Sequence, residues 1–311
     1  MEFVRTMKHI FIINPSAGKK RSTQALVERI QALELPYEIV FTEKAGDARR
    51  AARWAAESGE DVRVYACGGD GTLNDAVNGA AGFANAAVTN VPTGTGNDFL
   101  KIFGRENKAQ FTDLRALAEG PQAPMDLIDC NGRLGIDIVC TGLDARIAVD
   151  KDRYNSFPLV SGIGAYAISA VANVLVKGIG VPTVVDCGDL HFDGETALVC
   201  VCSGRYYGGG FMPVGDNMPD DGLLEVLVVR KVSRLTFFRL LRQYGSGKYR
   251  SYPDLIWYRQ GFPVTVRSKT REELVAVVDG EPVRSRELRI GLSDKKVNFF
   301  YPAGLSYGPK P

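Results

Sequence analysis

The residues with the clearest chemical potential form the run Gly-Gly-Asp-Gly-Thr at 68–72. It follows Val62–Cys67, which has the pattern of a buried strand, and precedes Leu73–Ala81, which has the pattern of a helix. Glycines let backbone N–H groups approach an anion, and a helix start offers unpaired N–H groups and a positive dipole end. Asp70 can organise a magnesium ion or a water beside a bound phosphate. The run predicts a phosphate-binding loop, with a plain tight turn as the alternative.

A second loop of the same kind follows the next predicted strand, Ala86–Val91. It spans Thr93–Asp98 and contains two glycines, two threonine hydroxyls, Asn97 and Asp98. These groups can bind ribose, phosphate or metal-bound water, whereas the simpler interpretation is a loop that caps a helix at Phe99. Neither loop has the Gly-Lys-Ser/Thr ending of a Walker motif. Together they favour a nucleotide.

Two carboxylate-rich turns occur in the second half of the chain. Asp220-Asp221-Gly222 could hold a hard cation through a carboxylate and nearby carbonyls, or be a solvated turn. Asp279-Gly280-Glu281 ends a predicted strand with two carboxylates, which suits a general base that accepts a hydroxyl proton. A hairpin turn is the alternative for this second site.

Strands and helices alternate in the first half, which predicts a parallel α/β sheet. Its polar loops follow strands and should meet at the carboxyl edge of the sheet, where open α/β folds bind ligands. The loops are Asn14–Lys20, Gly68–Thr72 and Thr93–Asp98.

After about Met125, strand patterns recur at short spacing and predict an antiparallel sandwich or barrel. They are Val181–Cys187, Ala197–Cys202, Leu223–Val229, Pro263–Arg267, Leu274–Val278, Leu288–Leu292 and Val297–Tyr301. The predicted domains are a Rossmann-like nucleotide-binding domain at 1–125, an all-β sandwich acceptor domain at 126–300, and a tail at 301–311 that could return to the first domain.

Composition is that of a globular protein, with 45% hydrophobic and 24% charged residues among 311. The net charge of +2 gives no general attraction to nucleic acid, and no such partner is expected. Six cysteines without CxxC pairs predict buried thiols in a reducing cytosol. No signal peptide is expected. The uncharged stretch Tyr154–Val176 is interpreted as a buried helix, because prolines, glycines and polar residues dilute it.

The segment Arg230–Arg250 contains seven cationic residues, no acidic residue and interleaved aromatic and leucine side chains. Such a basic amphipathic segment can lie on anionic lipid headgroups. The alternative is a helix with an apolar core face and a solvated basic face.

The order of these motifs resembles that in bacterial diacylglycerol-kinase-like lipid kinases, which share the catalytic fold of diacylglycerol, sphingosine and ceramide kinases; the Gly-Gly-Asp-Gly-Thr run is also found in NAD kinases and phosphofructokinases. The resemblance covers Lys8 to about Pro302 and rests on the motifs that follow. They are Asn14-Pro15 with Gly18, Gly68–Thr72, Gly94–Asp98, Asp126, Gly142-Leu143-Asp144, Gly208–Gly210, Asp221–Leu223 and Asp279–Glu281.

The resemblance implies roles for individual residues of this chain. ATP would lie in the cleft between a Rossmann-like domain and a β-sandwich. Magnesium and water beside the transferred phosphate would be held by Asp70, Asp98 and Asp126, and Glu281 would be the proton acceptor, with Asp279 as its competitor. A structural magnesium would be bound by Asp221 and the carbonyls of Met218 and Leu223. The implied ATP-binding residues are Asn14, Pro15, Ser16, Ala17, Gly18, Thr42, Gly68, Gly69, Asp70, Gly71, Thr72, Leu73, Asn74, Asp75, Thr95, Asn97 and Asp98.

Two departures from the family pattern concern these sites. Asp75 stands where many members have glutamate, and Val214–Met218 departs from the usual Pro-Asn-Ala lead-in. The expected activity is magnesium-dependent transfer of the γ-phosphate of ATP to a lipid hydroxyl, by a cytoplasmic protein that visits the membrane transiently. An NAD or sugar kinase and a non-catalytic nucleotide or lipid sensor are the alternatives. Diacylglycerol, phosphatidylglycerol, a sphingoid base and an undecaprenol-type alcohol remain open as acceptors, and the sequence leaves the oligomeric state open.

Overall fold

The computed structural model describes residues 7–17, 20–94, 96–155, 173–208 and 210–308. The chain divides into two compact units. The N-terminal unit consists of Met1–Leu127, Met218–Asp221 and Ser293–Pro311, and the second unit of Ile128–Asn217 and Gly222–Leu292. Residues 293–311 thus group with the N-terminal unit.

The N-terminal unit is built on a parallel sheet. Its strands are β1 (Lys8–Ile13), β2 (Tyr37–Phe41), β3 (Val62–Gly68) and β4 (Ala86–Pro92). The order is β4-β3-β1-β2, and the far end of a later strand, β15 (Glu287–Phe300), pairs in parallel with β4. The near-continuous burial of β1, β3 and β4 is typical of strands covered on both faces, as in doubly wound folds.

The described part of this unit contains the helices α1 (Lys20–Gln31), α2 (Asp47–Glu57), α3 (Asp70–Ala80) and α4 (Leu114–Glu119). The buried face of α2 is made of alanines, namely Ala48, Ala52, Ala55 and Ala56. Short 3₁₀ turns lie at Pro15–Ala17, Phe99–Phe103 and Arg105–Thr112. Phe103 contacts Phe111, Phe299, Tyr301 and Tyr307, so an aromatic cluster fixes the C-terminal segment in this unit.

The second unit is an antiparallel β structure with strand order β14-β13-β7-β9-β8-β12-β15, in which β10 pairs with β9 and β11. The strands are β5 (Gln122–Cys130, which begins in the first unit), β6 (Arg133–Gly135), β7 (Ile138–Gly142), β8 (Val181–Cys187), β9 (Leu190–Cys202), β10 (Glu225–Arg230), β11 (Ile256–Gln260), β12 (Val264–Ser268), β13 (Leu274–Val278) and β14 (Glu281–Ser285).

Alternating side chains of β9 enter two different cores of this unit. Val199 and Val201 belong to a core formed by strands, whereas Leu198, Cys200 and Cys202 belong to a second core that also contains helical residues. The helices among the described residues of this unit are α5 (Leu143–Asn155) and α6 (Arg234–Tyr244), with a 3₁₀ turn at Tyr249–Ser251 and a π-helical turn at Asn173–Lys177. This period-two division is expected of a strand covered on both faces.

The predicted α/β domain followed by a β-sandwich is confirmed. One strand prediction is wrong: the predicted strands Leu288–Leu292 and Val297–Tyr301 are not separate, because a single 14-residue strand, β15 (Glu287–Phe300), contains all of them except Tyr301. The polar residues Ser293–Lys296, whose sequence favours a turn, continue the extended backbone. All six cysteines are buried free thiols, as predicted. The predicted helix in Tyr154–Val176 lies mostly outside the described residues. Among the helices that are described, none is both long enough and apolar enough to cross a membrane.

Candidate active site

The glycine loop at 68–72 connects β3 to α3 as predicted. Gly69 has extended backbone angles and immediately precedes Asp70, the first residue of α3. A Cβ atom on Gly68 would lie 2.5 Å from the Cβ of Thr72, so only glycine fits beneath that side chain. The loop and the first turn of α3 therefore form a tightly packed helix start whose N–H groups suit an anion.

Asn14, directly after β1, joins the first loop to this helix start. Its Nδ2 donates to Thr72 Oγ1 at 3.2 Å, and its Oδ1 accepts from the amide of Ser16 at 3.0 Å. The backbone amide of Thr42, after β2, donates to Ile13 O at 2.9 Å. The predicted convergence of polar loops at the carboxyl edge of the sheet is thus confirmed for these residues. Gly18 and Thr95, both predicted to bind ATP, lie outside the described residues.

The second glycine loop is fastened to the first by hydrogen bonds in both directions. The amides of Thr93 and Gly94 donate to Gly68 O at 3.1 and 3.2 Å. In return, the Asp70 carboxylate accepts the amides of Asn97 at 2.8 Å and Asp98 at 2.6 Å. Asp70 thereby determines the backbone path of the loop that carries Asn97 and Asp98.

Asn97 has a left-handed backbone, with φ of 55°, and is fully buried. Its Nδ2 donates to Gly94 O at 2.9 Å, which closes the loop on itself. A non-glycine residue with positive φ carries strain that the surrounding contacts must hold. The Asp70 carboxylate supplies one of those contacts.

Each of the two other predicted magnesium ligands pairs with a lysine of the same unit. Asp98 contacts Lys101, and Asp126, which is only 1% exposed, lies 2.7 Å from the Nζ of Lys296. The amide of Asp126 also donates to Pro219 O at 2.7 Å, so the segment Met218–Asp221 is bound to β5. Within the described parts of the chain, no three His, Cys, Asp or Glu side chains gather as a metal-binding group.

Asp75 has a contact that the sequence did not indicate. Its Oδ2 accepts the amide of Gly46 at 2.9 Å, and Gly46 precedes α2 with a φ of 83°. The carboxylate therefore holds the loop between β2 and α2. Glutamate, which many family members carry at this position, would place its carboxylate one methylene farther from the backbone.

In the second unit, Asp279 and Gly280 form the two-residue turn between β13 and β14. Both have positive φ, of 48° and 97°, as a type I′ hairpin requires. The Asp279 carboxylate accepts three backbone amides, those of Ile136 at 2.7 Å, Asp137 at 3.1 Å and Ile138 at 2.9 Å. Asp279 thus fastens the start of β7 to this turn, whereas Glu281, the first residue of β14, is half-buried.

The turn at 220–222 has a side-chain contact that the sequence did not indicate. Asp220 accepts from Tyr307 Oη at 2.8 Å within the N-terminal unit, and Gly222 has a φ of 78°. Met218 and Asp221 belong to the N-terminal unit and Leu223 to the second unit. The structural magnesium site at these residues remains a prediction.

The sequence did not reveal an apolar cavity in the second unit. Its volume is about 110 Å³, and its walls come from α5, β9, β10, α6 and the segment after β9. Leu198, Val229, Phe237, Phe238 and Leu241 are among its apolar lining residues. The aromatic side chains of Tyr206–Phe211 and Phe237–Tyr244 were the only sequence signal that could have pointed to it.

One carboxylate, Asp144, lines this cavity. Tyr207 Oη donates to Asp144 Oδ2, and the hydroxyls of Tyr207 and Tyr244 lie 3.4 Å apart. Burial raises the pKa of Asp144 to about 6, although the hydrogen bond from Tyr207 opposes the increase. Burial also raises the pKa values of both tyrosines, which therefore stay protonated at neutral pH.

The basic segment at 230–250 contains α6, and Ser233 caps this helix by accepting the amide of Thr236 at 3.1 Å. Leu240 is buried and lines the apolar cavity, and Tyr244 belongs to the second core. The outer face carries Leu235 and Phe238, which are 61% and 51% exposed, beside the exposed Arg239 and Arg242. Because these four residues follow the spacing i, i+3, i+4, i+7, they form one continuous face. Both the membrane-docking interpretation and the alternative of a solvated basic face remain predictions for this helix.

Comparisons with known proteins agree with this architecture. Residues 8–130 match the model of the diacylglycerol kinase catalytic domain, and residues 137–298 match that of the YegS C-terminal NAD kinase beta sandwich-like domain. The folds of the two units and the glycine loops define the class of this protein. It is a kinase with the fold that NAD kinases and diacylglycerol kinases share. Within this class, the chain belongs to the diacylglycerol-kinase-like family of lipid kinases.

Two curated relatives span most of the chain. The diacylglycerol kinase of Bacillus subtilis (strain 168) is 28% identical over 279 residues, which cover 87% of this chain and 88% of that protein. The "Probable lipid kinase YegS-like" of Shewanella frigidimarina (strain NCIMB 400) is 25% identical over 296 residues, 92% of each chain. A solved structure of a diacylglycerol kinase from Bacillus anthracis str. Sterne has a TM-score of 0.67 at 20% identity, with 98% of this chain and 100% of that chain covered, and is similar in fold.

Proposed function

We propose that this chain transfers the γ-phosphate of ATP to a hydroxyl group of a lipid. The observation that carries the lipid assignment is the cavity of about 110 Å³, with almost entirely apolar walls, in the unit that also holds Glu281. A cavity with such walls suits hydrocarbon, because each buried CH₂ contributes about 0.8 kcal/mol to binding. The polar faces of NAD or a sugar would be desolvated there without partners.

The nucleotide phosphates would lie at the start of α3, between the two glycine loops. Backbone amides and the helix dipole then stabilise negative charge that spreads over the phosphoryl oxygens. In this proposal Asp70 is a positioning residue, since its carboxylate oxygens accept the amides of Asn97 and Asp98. Asn14 orders the same helix start through Thr72.

Magnesium would neutralise charge on the transferring phosphate, with Asp98 and Asp126 as its carboxylate ligands. The donor set fits, because Mg²⁺ binds through one or two carboxylates, substrate phosphates and waters rather than a cage of protein ligands. Lys101 and Lys296, which pair with these carboxylates, supply positive charge in the same unit.

Glu281 is the proposed proton acceptor for the lipid hydroxyl. Asp279, its competitor, already accepts three backbone amides and has a positioning role in this proposal. General-base assistance typically contributes about 10²–10⁴-fold to a rate, so most of the acceleration must come from positioning and electrostatics.

The outer face of α6 is the proposed contact with the membrane, which the protein would visit transiently from the cytoplasm. Leu235 and Phe238 would insert beside the headgroups, and Arg239 and Arg242 would attract anionic lipid. Phe238 also lines the cavity, so the same helix would connect the lipid surface to the acceptor pocket.

The direct test is phosphate transfer from labelled ATP with magnesium to a panel of lipids in mixed micelles, with NAD as an additional acceptor. Label in a lipid, lost in Asp70→Ala, is the expected result. Label in NAD alone would overturn the proposal in favour of an NAD kinase. ATP binding without label in any acceptor would point instead to a sensor.

A further inference from the structure

Asp144 is an unusual residue for the wall of an apolar cavity. It is the first acidic residue after β7, and it begins α5 together with Leu143. Asp144 is half-buried and borders the cavity. Placing a carboxylate in an apolar wall is costly unless polar partners satisfy it, so its presence there requires an explanation.

The partners of Asp144 satisfy only part of its hydrogen-bonding capacity. Tyr207 donates to Oδ2, and Tyr244 follows behind Tyr207. An ionised carboxylate offers about four acceptor positions on two oxygens. The side chain therefore has capacity for another donor, and a molecule within the cavity could supply it.

The position of Asp144 in the sheet relates it to the proposed proton acceptor. β7, which ends just before Asp144, pairs with β13 through Cys140 and Val277. The other neighbour of β13 is β14, which begins with Glu281 opposite Val278. Glu281 is therefore two strands away from β7 and level with Val139, near the start of β7, whereas Asp144 follows its end. Phe238 of α6, a half-exposed residue, also lines the cavity, so the cavity wall includes both an exposed position of α6 and the Asp144 carboxylate.

We propose that Asp144, oriented by Tyr207 and Tyr244, determines acceptor specificity by binding a hydroxyl or amine of the lipid headgroup while the hydrocarbon chain fills the cavity. This inference rests on the proposed lipid kinase function and names the headgroup chemistry that it requires. Because the pKa of Asp144 is about 6, most of the carboxylates are ionised at pH 7 and accept hydrogen bonds. A lipid whose headgroup only accepts hydrogen bonds would be disfavoured.

The test uses two probes of one chain length, decanol and its methyl ether, which differ in a single hydrogen-bond donor. Binding to the full-length protein at pH 7 is measured by calorimetry without nucleotide, so the result does not depend on catalysis. A hydrogen bond to a charged group predicts that decanol binds about 10- to 100-fold more tightly than the ether. Equal affinities in the wild-type protein would overturn the proposal, and so would binding of neither probe.

Variants test whether Asp144 is the group that causes the preference for decanol over its methyl ether. In Asp144→Leu the ratio of affinities should fall to about one with the ether still bound, since an apolar side chain keeps the cavity but accepts no hydrogen bond. Asp144→Asn retains an acceptor oxygen and should keep part of the preference. Tyr207→Phe, which keeps the ring and loses only the hydroxyl, should reduce the ratio by a smaller factor even if Asp144→Leu fails to fold. An unchanged ratio in both Asp144→Leu and Tyr207→Phe would assign the discrimination to another group and overturn the proposal.

A failed phosphate-transfer assay has a different meaning. If decanol is preferred through Asp144 but no lipid becomes labelled, the headgroup site stands and the proposed transfer reaction does not. If lipids become labelled but the alcohol and the ether bind equally, the reaction stands and the role of Asp144 does not.

Discussion

A Cβ atom on Gly94 would lie 2.8 Å from the Cα and 3.1 Å from the amide nitrogen of Gly69. The two glycine loops therefore touch backbone to backbone, and neither can move aside as a flexible side chain could. Gly69 differs, because a Cβ there would meet its nearest atom, the Cα of Gly94, at an ordinary 3.8 Å. Substitutions at Gly94 and Gly69 can therefore distinguish the packing between the two loops from their proposed contact with phosphate.

Gly94→Ala should destabilise the protein by about 1–3 kcal/mol, as overpacking does, and should weaken ATP binding as a consequence. Gly69→Ala should leave the free energy of unfolding nearly unchanged and weaken ATP binding alone, because its methyl group would stand where phosphate approaches. Urea unfolding and ATP titration of both variants check this prediction. Gly308→Ala, with no neighbouring atom within 4 Å, is the control. Equal affinity for ATP in Gly69→Ala and wild type would contradict the placement of the phosphate.

Asp279→Ala and Glu281→Gln should separate stability from rate. Loss of the Asp279 carboxylate leaves three buried or half-buried amides without their acceptor, which should cost about 2–5 kcal/mol of unfolding free energy. Asp279→Asn should cost less, because asparagine tolerates positive φ and keeps one acceptor oxygen.

Glu281→Gln should lower kcat by about 10²–10⁴-fold while the midpoint of urea unfolding and the affinity for ATP stay unchanged. Glu273→Gln, an exposed glutamate just before β13, is the matched control. Unchanged turnover in both Glu281→Gln and Asp279→Asn would exclude either residue as the base.

The pKa of Asp144 predicts a pH-dependent stability with a definite sign. Burial raises this pKa from 3.8 to about 6, so between these values the folded protein holds a proton that the unfolded chain has lost. The neutral acid therefore makes its full contribution to the free energy of unfolding below about pH 4. That contribution decreases as the pH rises to about 6 and is lost at higher pH. A shift of about two pKa units corresponds to about 3 kcal/mol at most.

Asp144→Asn removes this titration, so the stability of wild type relative to the variant should decline across the same window. Urea unfolding between about pH 4 and about pH 7 measures the difference. The neighbouring Tyr207, Tyr244 and Cys140 have raised pKa values and stay neutral throughout. Asp294→Asn, at an exposed position of β15, is the control. Parallel stability curves for wild type and Asp144→Asn would refute the prediction.

The outer face of α6 should determine membrane binding. Arg239→Glu/Arg242→Glu should weaken binding to vesicles rich in phosphatidylglycerol by at least about tenfold, since each arginine near an anionic surface contributes about 1 kcal/mol. Leu235→Ser/Phe238→Ser should weaken binding to neutral and anionic vesicles alike, because the lost contribution is hydrophobic.

Co-sedimentation with vesicles of both compositions measures these effects. Arg271→Glu/Arg284→Glu and Leu292→Ser change exposed residues elsewhere and should leave binding nearly unaltered. If binding does not depend on anionic lipid, or if the control pairs lower it equally, α6 is not the docking face.

The sequence was sufficient to predict the convergence of Asn14, Thr72 and the loop at 93–98. Each of these groups follows a parallel strand, and the topology of such a sheet brings the strand ends together. The partners of Asp70 could not be predicted in the same way. Its carboxylate was expected beside magnesium or water, but it accepts two backbone amides whose directions depend on the left-handed turn at Asn97.

The cavity and the Asp279 contacts escaped prediction for a related reason. Asp279 accepts amides of residues about 140 positions earlier in the chain, and no local pattern encodes that partnership. The cavity is lined by residues between Asp144 and Ile256, drawn from separate elements whose individual patterns indicate only burial. Periodicity predicts that a face is covered, but it does not reveal where the covering elements leave space between them.

The long strand β15 has a consequence for how this protein is made. Its last residues pair with β4 through Asn298 opposite Ala87 and Phe299 opposite Val88, more than 200 positions apart. A ribosome that has completed β1 to β4 has therefore produced a sheet in which the β4 edge is still unpaired, and that edge stays uncovered until residues 298 and 299 have emerged. The N-terminal unit, although its first strands are synthesised early, can be completed only after the strands of the second unit have been made.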